Sequence, residues 1–109
     1  TIVKQLRNGE INEIVIDPKE LNVNAEGFDK IVGNDAKFNS EKIIDIFKGN
    51  DDDFSKAVSL NAAAGLIISE REDNFKHAYE KARDHLLSGK TYLHLENLRN
   101  AWKYIRENN

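Results

Sequence analysis

The chain of 109 residues has no cysteine, no methionine and a single proline, Pro18. Without cysteine there is no structural disulfide, no thiolate metal site and no cysteine nucleophile. That suits a reducing cytoplasm, which is the expected location. The lack of methionine, together with a start at Thr1, leads us to expect a segment of something longer or a trimmed product. Long apolar runs are absent too: the longest, Ala62 through Ile68, is about seven residues against the ~20 needed to cross a bilayer. No transmembrane or secretory segment is expected. Charge of one sign is also scarce, because the 16 basic and 19 acidic residues are interspersed and the net charge is only −3. Neither nucleic acid nor an anionic membrane is implied as a partner.

What is present is organised around Lys56–Ser69, KAVSLNAAAGLIIS, which is apolar on nearly every side. A helix of that kind is expected to be buried. Its small residues, among them Ser59, Asn61, Ala62, Ala63, Ala64 and Gly65, let neighbouring backbones come close, while Leu60, Leu66, Ile67 and Ile68 supply volume. Burying each of those four large side chains is expected to contribute roughly 1.5–3 kcal/mol.

The flanking elements follow from spacing. Ile2 and Leu6 precede Asn8-Gly9, a strong type I′ hairpin signal, and Ile11 to Ile16 returns as the second strand, with Ile14, Val15 and Ile16 read as covered on both faces. Asp17-Pro18 stops it, and a short helical turn at Lys19–Leu21 is expected. Phe28, Ile31 and Val32 are expected to tuck inward. Asp35 caps a helix whose inner face is Ala36, Asn39, Ser40, Ile43 and Phe47, with Asn39 and Ser40 hydrogen-bonded to nearby backbone. An aspartate of Asn50–Asp53 caps the central helix, in which Asn61 is read as a hydrogen-bonding group between packed helices. Phe75, Ala78, Tyr79, Ala82 and Leu86 mark a third helix closed by Gly89 in a left-handed cap. Leu95, Leu98, Trp102 and Ile105 mark the inner face of a fourth, with Leu93 opposite and a tail, Asn108-Asn109, expected to fray.

The class is therefore α+β in one segment: a hairpin over about residues 1–17 and helices over about 35–48, 53–69, 74–88 and 91–107. At this length it is one domain at most.

Several motifs suggest chemistry and fall short. Ser88-Gly89-Lys90-Thr91 looks like the end of a phosphate-binding loop, but Asp84 stands where that pattern needs its upstream glycine, and a helix precedes it instead of a strand. A helix–glycine–helix corner is the better account. Asp51–Asp53 lacks the alternating ligands, glycine bend and distal glutamate of a calcium loop. His77, His85 and His94 do not share a helical face and make no zinc set. No serine elbow, dinucleotide fingerprint or carboxylate pair is visible. No residue is assigned a catalytic, substrate-binding or metal role; structural roles fall to Asn8, Gly9, Asn39, Asn61, Gly65 and Gly89.

Five stretches in order nevertheless carry a resemblance. Leu6-Arg7-Asn8-Gly9-Glu10-Ile11, Ile16-Asp17-Pro18-Lys19-Glu20-Leu21, Gly33-Asn34-Asp35-Ala36 with Asn39, Leu60-Asn61-Ala62-Ala63-Ala64-Gly65-Leu66, and Ala82-Arg83 followed by Leu87-Ser88-Gly89-Lys90 resemble the C-terminal part of the anthranilate phosphoribosyltransferase family. Leu95 and Leu98 extend the likeness beyond them. Asn22 and Asn34 stand where the family commonly has glycine, and asparagine tolerates left-handed backbone nearly as well.

The resemblance implies a portion of a large α/β domain whose intact enzyme transfers a phosphoribosyl group from magnesium-bound phosphoribosyl pyrophosphate to anthranilate in tryptophan biosynthesis. The family's glycine-rich loop, substrate-binding residues and magnesium-binding acidic pair match nothing here, so this segment is expected to bind no cofactor and to be inactive alone. Its implied partner is the remainder of the transferase, in the same or a separate chain. The alternative is a freestanding interaction or assembly module, self-associating through the hairpin edge and Leu93.

Overall fold

The computed structural model describes residues 1–23 and 27–109, with only the backbone of Phe28, whose expected inward side chain lies outside what is described. Strands β1 (Ile2–Arg7) and β2 (Glu10–Val15) form an antiparallel hairpin in the register Ile2↔Val15 to Arg7↔Glu10. Asn8 and Gly9 turn it with φ of 53° and 81°, the left-handed pair a type I′ turn requires. Two 3₁₀ turns follow, Pro18–Leu21 and Phe28–Ile31, and then four helices: α1 (Ala36–Phe47), α2 (Asp53–Ile68), α3 (Phe75–Leu87) and α4 (Lys90–Asn108). The class is α+β. No helix among the described residues is long and apolar enough to cross a membrane.

Caps set the helix starts. Asp35 accepts from the Phe38 N–H at 2.8 Å, Asn74 from the His77 N–H at 3.1 Å, and Asp52 forms a reciprocal capping box with Ser55. Asp17 accepts from the Lys19 N–H at 2.9 Å and starts the first 3₁₀ turn, which Asn22 ends at φ 54°. Asn34 does not take up positive φ, unlike Asn22. Two glycine corners meet at one end of the bundle. Gly49, at φ 99°, sits so near the end of α3 that a Cβ there would lie 2.6 Å from the Leu87 carbonyl oxygen, and Gly89, at φ 75°, turns α3 into α4 beside Lys48.

The core lies between α2 and α3. Ser55, Ser59 and Ala63 of α2 are buried against a helix that buries Ala78, Tyr79 and Leu86, and Leu21 closes the cluster from the 3₁₀ turn. Small side chains at i, i+4 and i+8 let the two helices approach closely, and the buried Ser59 hydroxyl is satisfied by the Ser55 carbonyl at 2.8 Å.

This corrects the expectation that Leu60, Leu66, Ile67 and Ile68 fill the interior. The first three are half-buried at the rim of the seam and Ile68 is 83% exposed. The opposite stripe of α2, Val58, Asn61, Ala62, Gly65 and Ile68, faces outward.

Three further expectations also change. In α1 the buried residue is Ile46, while Asn39, Ser40 and Ile43 are exposed, because α1 packs through its C-terminal end against α3 and α4. In β2, Ile14 and Val15 are exposed instead of covered on both faces, and Val32 is exposed as well. In α4 no residue is buried; of the expected inner face only Leu95 is even half-buried.

Candidate functional site

The densest polar constellation sits where α1, α2 and α3 meet. It begins with the α2 capping box: the Ser55 hydroxyl accepts from the Asp52 N–H at 3.0 Å and donates to the Asp52 carbonyl at 2.7 Å, while the Asp52 carboxylate accepts from the Ser55 N–H at 2.9 Å. Arg83 reaches across from α3, donating from Nη1 to Ser55 Oγ at 3.2 Å and from Nη2 to the Asp51 carboxylate at 2.6 Å. Lys42 of α1 donates to Asp52 at 3.2 Å and lies 5.3 Å from the Phe54 ring centroid. One loop, 50–52, is thereby tied to three helices, and charge-assisted bonds of this kind are the stronger class. Tyr79 packs beside it. Burial pushes its phenol above the ordinary 10.0, with the Arg83 and Lys56 cations opposing that rise.

The acidic run is thus used up structurally. Asp51 pairs with Arg83, Asp52 caps α2 and holds Lys42, and Asp53 pairs with Lys56 at 3.0 Å. No group of three or more His, Asp or Glu side chains converges among the described residues. These carboxylates do not fit a magnesium site, since each is already committed to a cation or a helix end. The constellation fixes geometry; it offers no nucleophile paired with a base.

The structural residues named from sequence are spread through the chain. Asn8 and Gly9 form the hairpin turn and Gly89 the α3–α4 corner. Asn39 is exposed, contrary to its expected buried face, but its side chain clasps the preceding loop: Oδ1 accepts from the Asn34 N–H at 2.9 Å and Nδ2 donates to the Asn34 carbonyl at 3.0 Å. Ser40, also exposed, donates to the Lys37 carbonyl at 2.8 Å.

Asn61 does not bridge helices. It is exposed and donates to the Ala57 carbonyl of its own helix at 2.9 Å. Gly65 is not a close-packing point, since a Cβ there would meet nothing within 4 Å. No local spacing in the sequence signals the Arg83–Asp51–Ser55 clamp, because its partners are far apart in the chain.

The uncovered apolar faces form the second constellation. Ile2, Leu6, Ile11 and Val15 of the hairpin and Leu98, Trp102, Tyr104 and Ile105 of α4 are all exposed. A two-stranded hairpin with open faces is marginal by itself.

Comparison with known proteins gives these features a context. The chain matches the family described as "Glycosyl transferase family, a/b domain" over residues 1–92. It belongs to that family. It is 57% identical over 101 residues to the anthranilate phosphoribosyltransferase of Pelagibacter ubique, covering 93% of this chain and 31% of the relative. It is 33% identical over 102 residues to the anthranilate phosphoribosyltransferase of Idiomarina loihiensis, covering 93% of this chain and 30% of the relative. With that of Caldanaerobacter subterraneus it shares 35% identity over 92 residues, 84% of this chain and 27% of the relative. The chain therefore spans about three tenths of the length of the curated relatives it matches. No solved structure matches it.

Proposed function

We propose that this chain, as a member of that family, is the C-terminal structural portion of an anthranilate phosphoribosyltransferase and is inactive by itself. It supplies a sheet edge and packed helices to the wall of the large α/β domain. The intact enzyme transfers the phosphoribosyl group of magnesium-bound phosphoribosyl pyrophosphate to anthranilate, in the cytoplasm, for tryptophan biosynthesis. Magnesium and both substrates are held by the remainder of the transferase, in the same or a separate chain.

The observation that carries this reading is the pairing of close likeness with partial span: 57% identity over nearly the whole chain, against 31% of the relative's length. The open faces of the hairpin and of α2 support it, because they are surfaces a larger body would cover.

The direct test is an assay of phosphoribosyl transfer to anthranilate by the isolated chain, with and without the remainder of the Pelagibacter relative added as a second polypeptide. We expect no product from the chain alone and magnesium-dependent product from the mixture. Product from the chain alone overturns the inactivity. A second reading, an assembly module without enzymatic activity, draws on the same open faces. Sedimentation of the isolated chain as a monomer at high concentration removes its self-associating form.

A further inference from the structure

We propose that the second half of α4 is a docking surface for an amphipathic helix bearing an acidic flank. The inference is independent of the transferase reading. It begins with the periodicity: Leu95, Leu98, Trp102 and Ile105 recur at i, i+3, i+7 and i+10, the narrow a/d seam by which one helix meets another. The first turns of α4 use that side against α1 and α3, where Thr91, Tyr92 and Leu95 are half-buried. The seam then runs past the end of the bundle. Leu98 is 55% exposed, Trp102 64% and Ile105 47%.

Charge decides what fits. Arg99, Lys103 and Arg106, at i, i+4 and i+7, form a basic row along one flank of the seam beside Trp102. The other flank, His94, Ala101 and Asn108, carries no acid. Glu96 and Glu107 stand on the far side of the basic row, 2.6 Å from Arg99 and 4.0 Å from Lys103. Exposed pairs of that kind are weak and exchange readily for a partner's carboxylate.

A second copy is a poor occupant. Antiparallel pairing across the seam sets basic row against basic row, and parallel pairing sets it against the neutral flank. A lipid surface is also a poorer fit, since a helix lying in a membrane carries its cations along both edges of the apolar face. A helix with apolar a/d positions and glutamates or aspartates beside them answers both the seam and the row.

Trp102 is the chain's only tryptophan, so its fluorescence reads the surface directly. The probes are two synthetic amphipathic peptides of identical apolar heptad register, one flanked by glutamates and one by lysines. The wild-type chain is expected to bind the glutamate peptide about tenfold or more tighter than the lysine peptide, with a blue shift of Trp102 and weakening in salt. The double variant Arg99→Glu/Arg106→Glu is expected to reverse the preference, an outcome that misfolding cannot produce.

Equal binding of the two peptides, or of neither, overturns the proposal. So does a blue shift with phosphatidylserine–phosphatidylcholine vesicles and none with the peptides, which makes the surface a lipid one. A blue shift of the chain alone with concentration, alongside a sedimenting dimer, overturns it in favour of a second copy.

Discussion

The seam between α2 and α3 and the second half of α4 treat side chains in opposite ways. The seam buries serines and alanines, Ser55, Ser59, Ala63 and Ala78, around one tyrosine, and it is closed at its end by Arg83 reaching to Asp51 and Ser55. α4 leaves leucine, isoleucine and tryptophan in water. Ranked by hydrophobicity alone, the order of burial would be the reverse. What separates the two regions is whether a second element lies across from the side chain. Small residues are buried because they let α3 come close, and large ones are exposed where the bundle has ended.

The contrast is sharpest where substitutions should push the two regions apart. Ala63→Leu puts a large side chain into the closely packed seam and should lower stability by about 1–3 kcal/mol, read from the denaturant midpoint. An unchanged midpoint would mean that α2 and α3 are not in close contact there.

Ser55→Ala leaves the Asp52 N–H and the Arg83 guanidinium without their hydroxyl partner in a half-buried junction, and a loss of about 1–2 kcal/mol is expected. Arg83→Met in that background should then cost less than it does in the wild type, because the two side chains share one contact.

Gly65→Ala tests the outer stripe of α2. A Cβ there meets nothing within 4 Å, and glycine within a helix is poorer than alanine, so the isolated chain should gain about 0.5–1 kcal/mol. If the transferase reading is right, the gain should vanish or change sign once the remainder of the enzyme is added, because another element then covers that stripe.

Trp102→Ala marks the opposite pole and should move the midpoint of the isolated chain by no more than about 0.5 kcal/mol. A larger loss would show that α4 is covered in solution by self-association.

Tyr79 gives stability an alkaline limit and no pH dependence near neutrality. Its native phenol titrates above the unfolded value of 10.0, so the native state holds the proton more tightly; the stabilisation is intact below 10.0 and is lost as pH climbs through the native value. Tyr79→Phe should flatten that alkaline limb in an equilibrium-unfolding series.

Local chemistry made much of the chain legible without coordinates. Asn8-Gly9 specifies left-handed backbone at both turn positions, Asp35 and Asn74 accept from amides of the turn that follows them, and Gly89 permits a corner that a side chain would strain. Each of those interactions joins residues within a few positions of one another, so sequence alone determined the hairpin, the number of helices and nearly all their ends.

Tertiary structure decided which faces are inside. Asn39 and Ser40 lay on a plausible inner stripe of α1, yet that helix docks by its far end at Ile46; Asn61 and Gly65 lay on a plausible inner side of α2, yet α3 takes the side of Ser55, Ser59 and Ala63. An all-round apolar helix has no preferred face of its own, so its orientation is chosen by its neighbour, and the Arg83–Asp51–Ser55 clamp exists only once that choice is made.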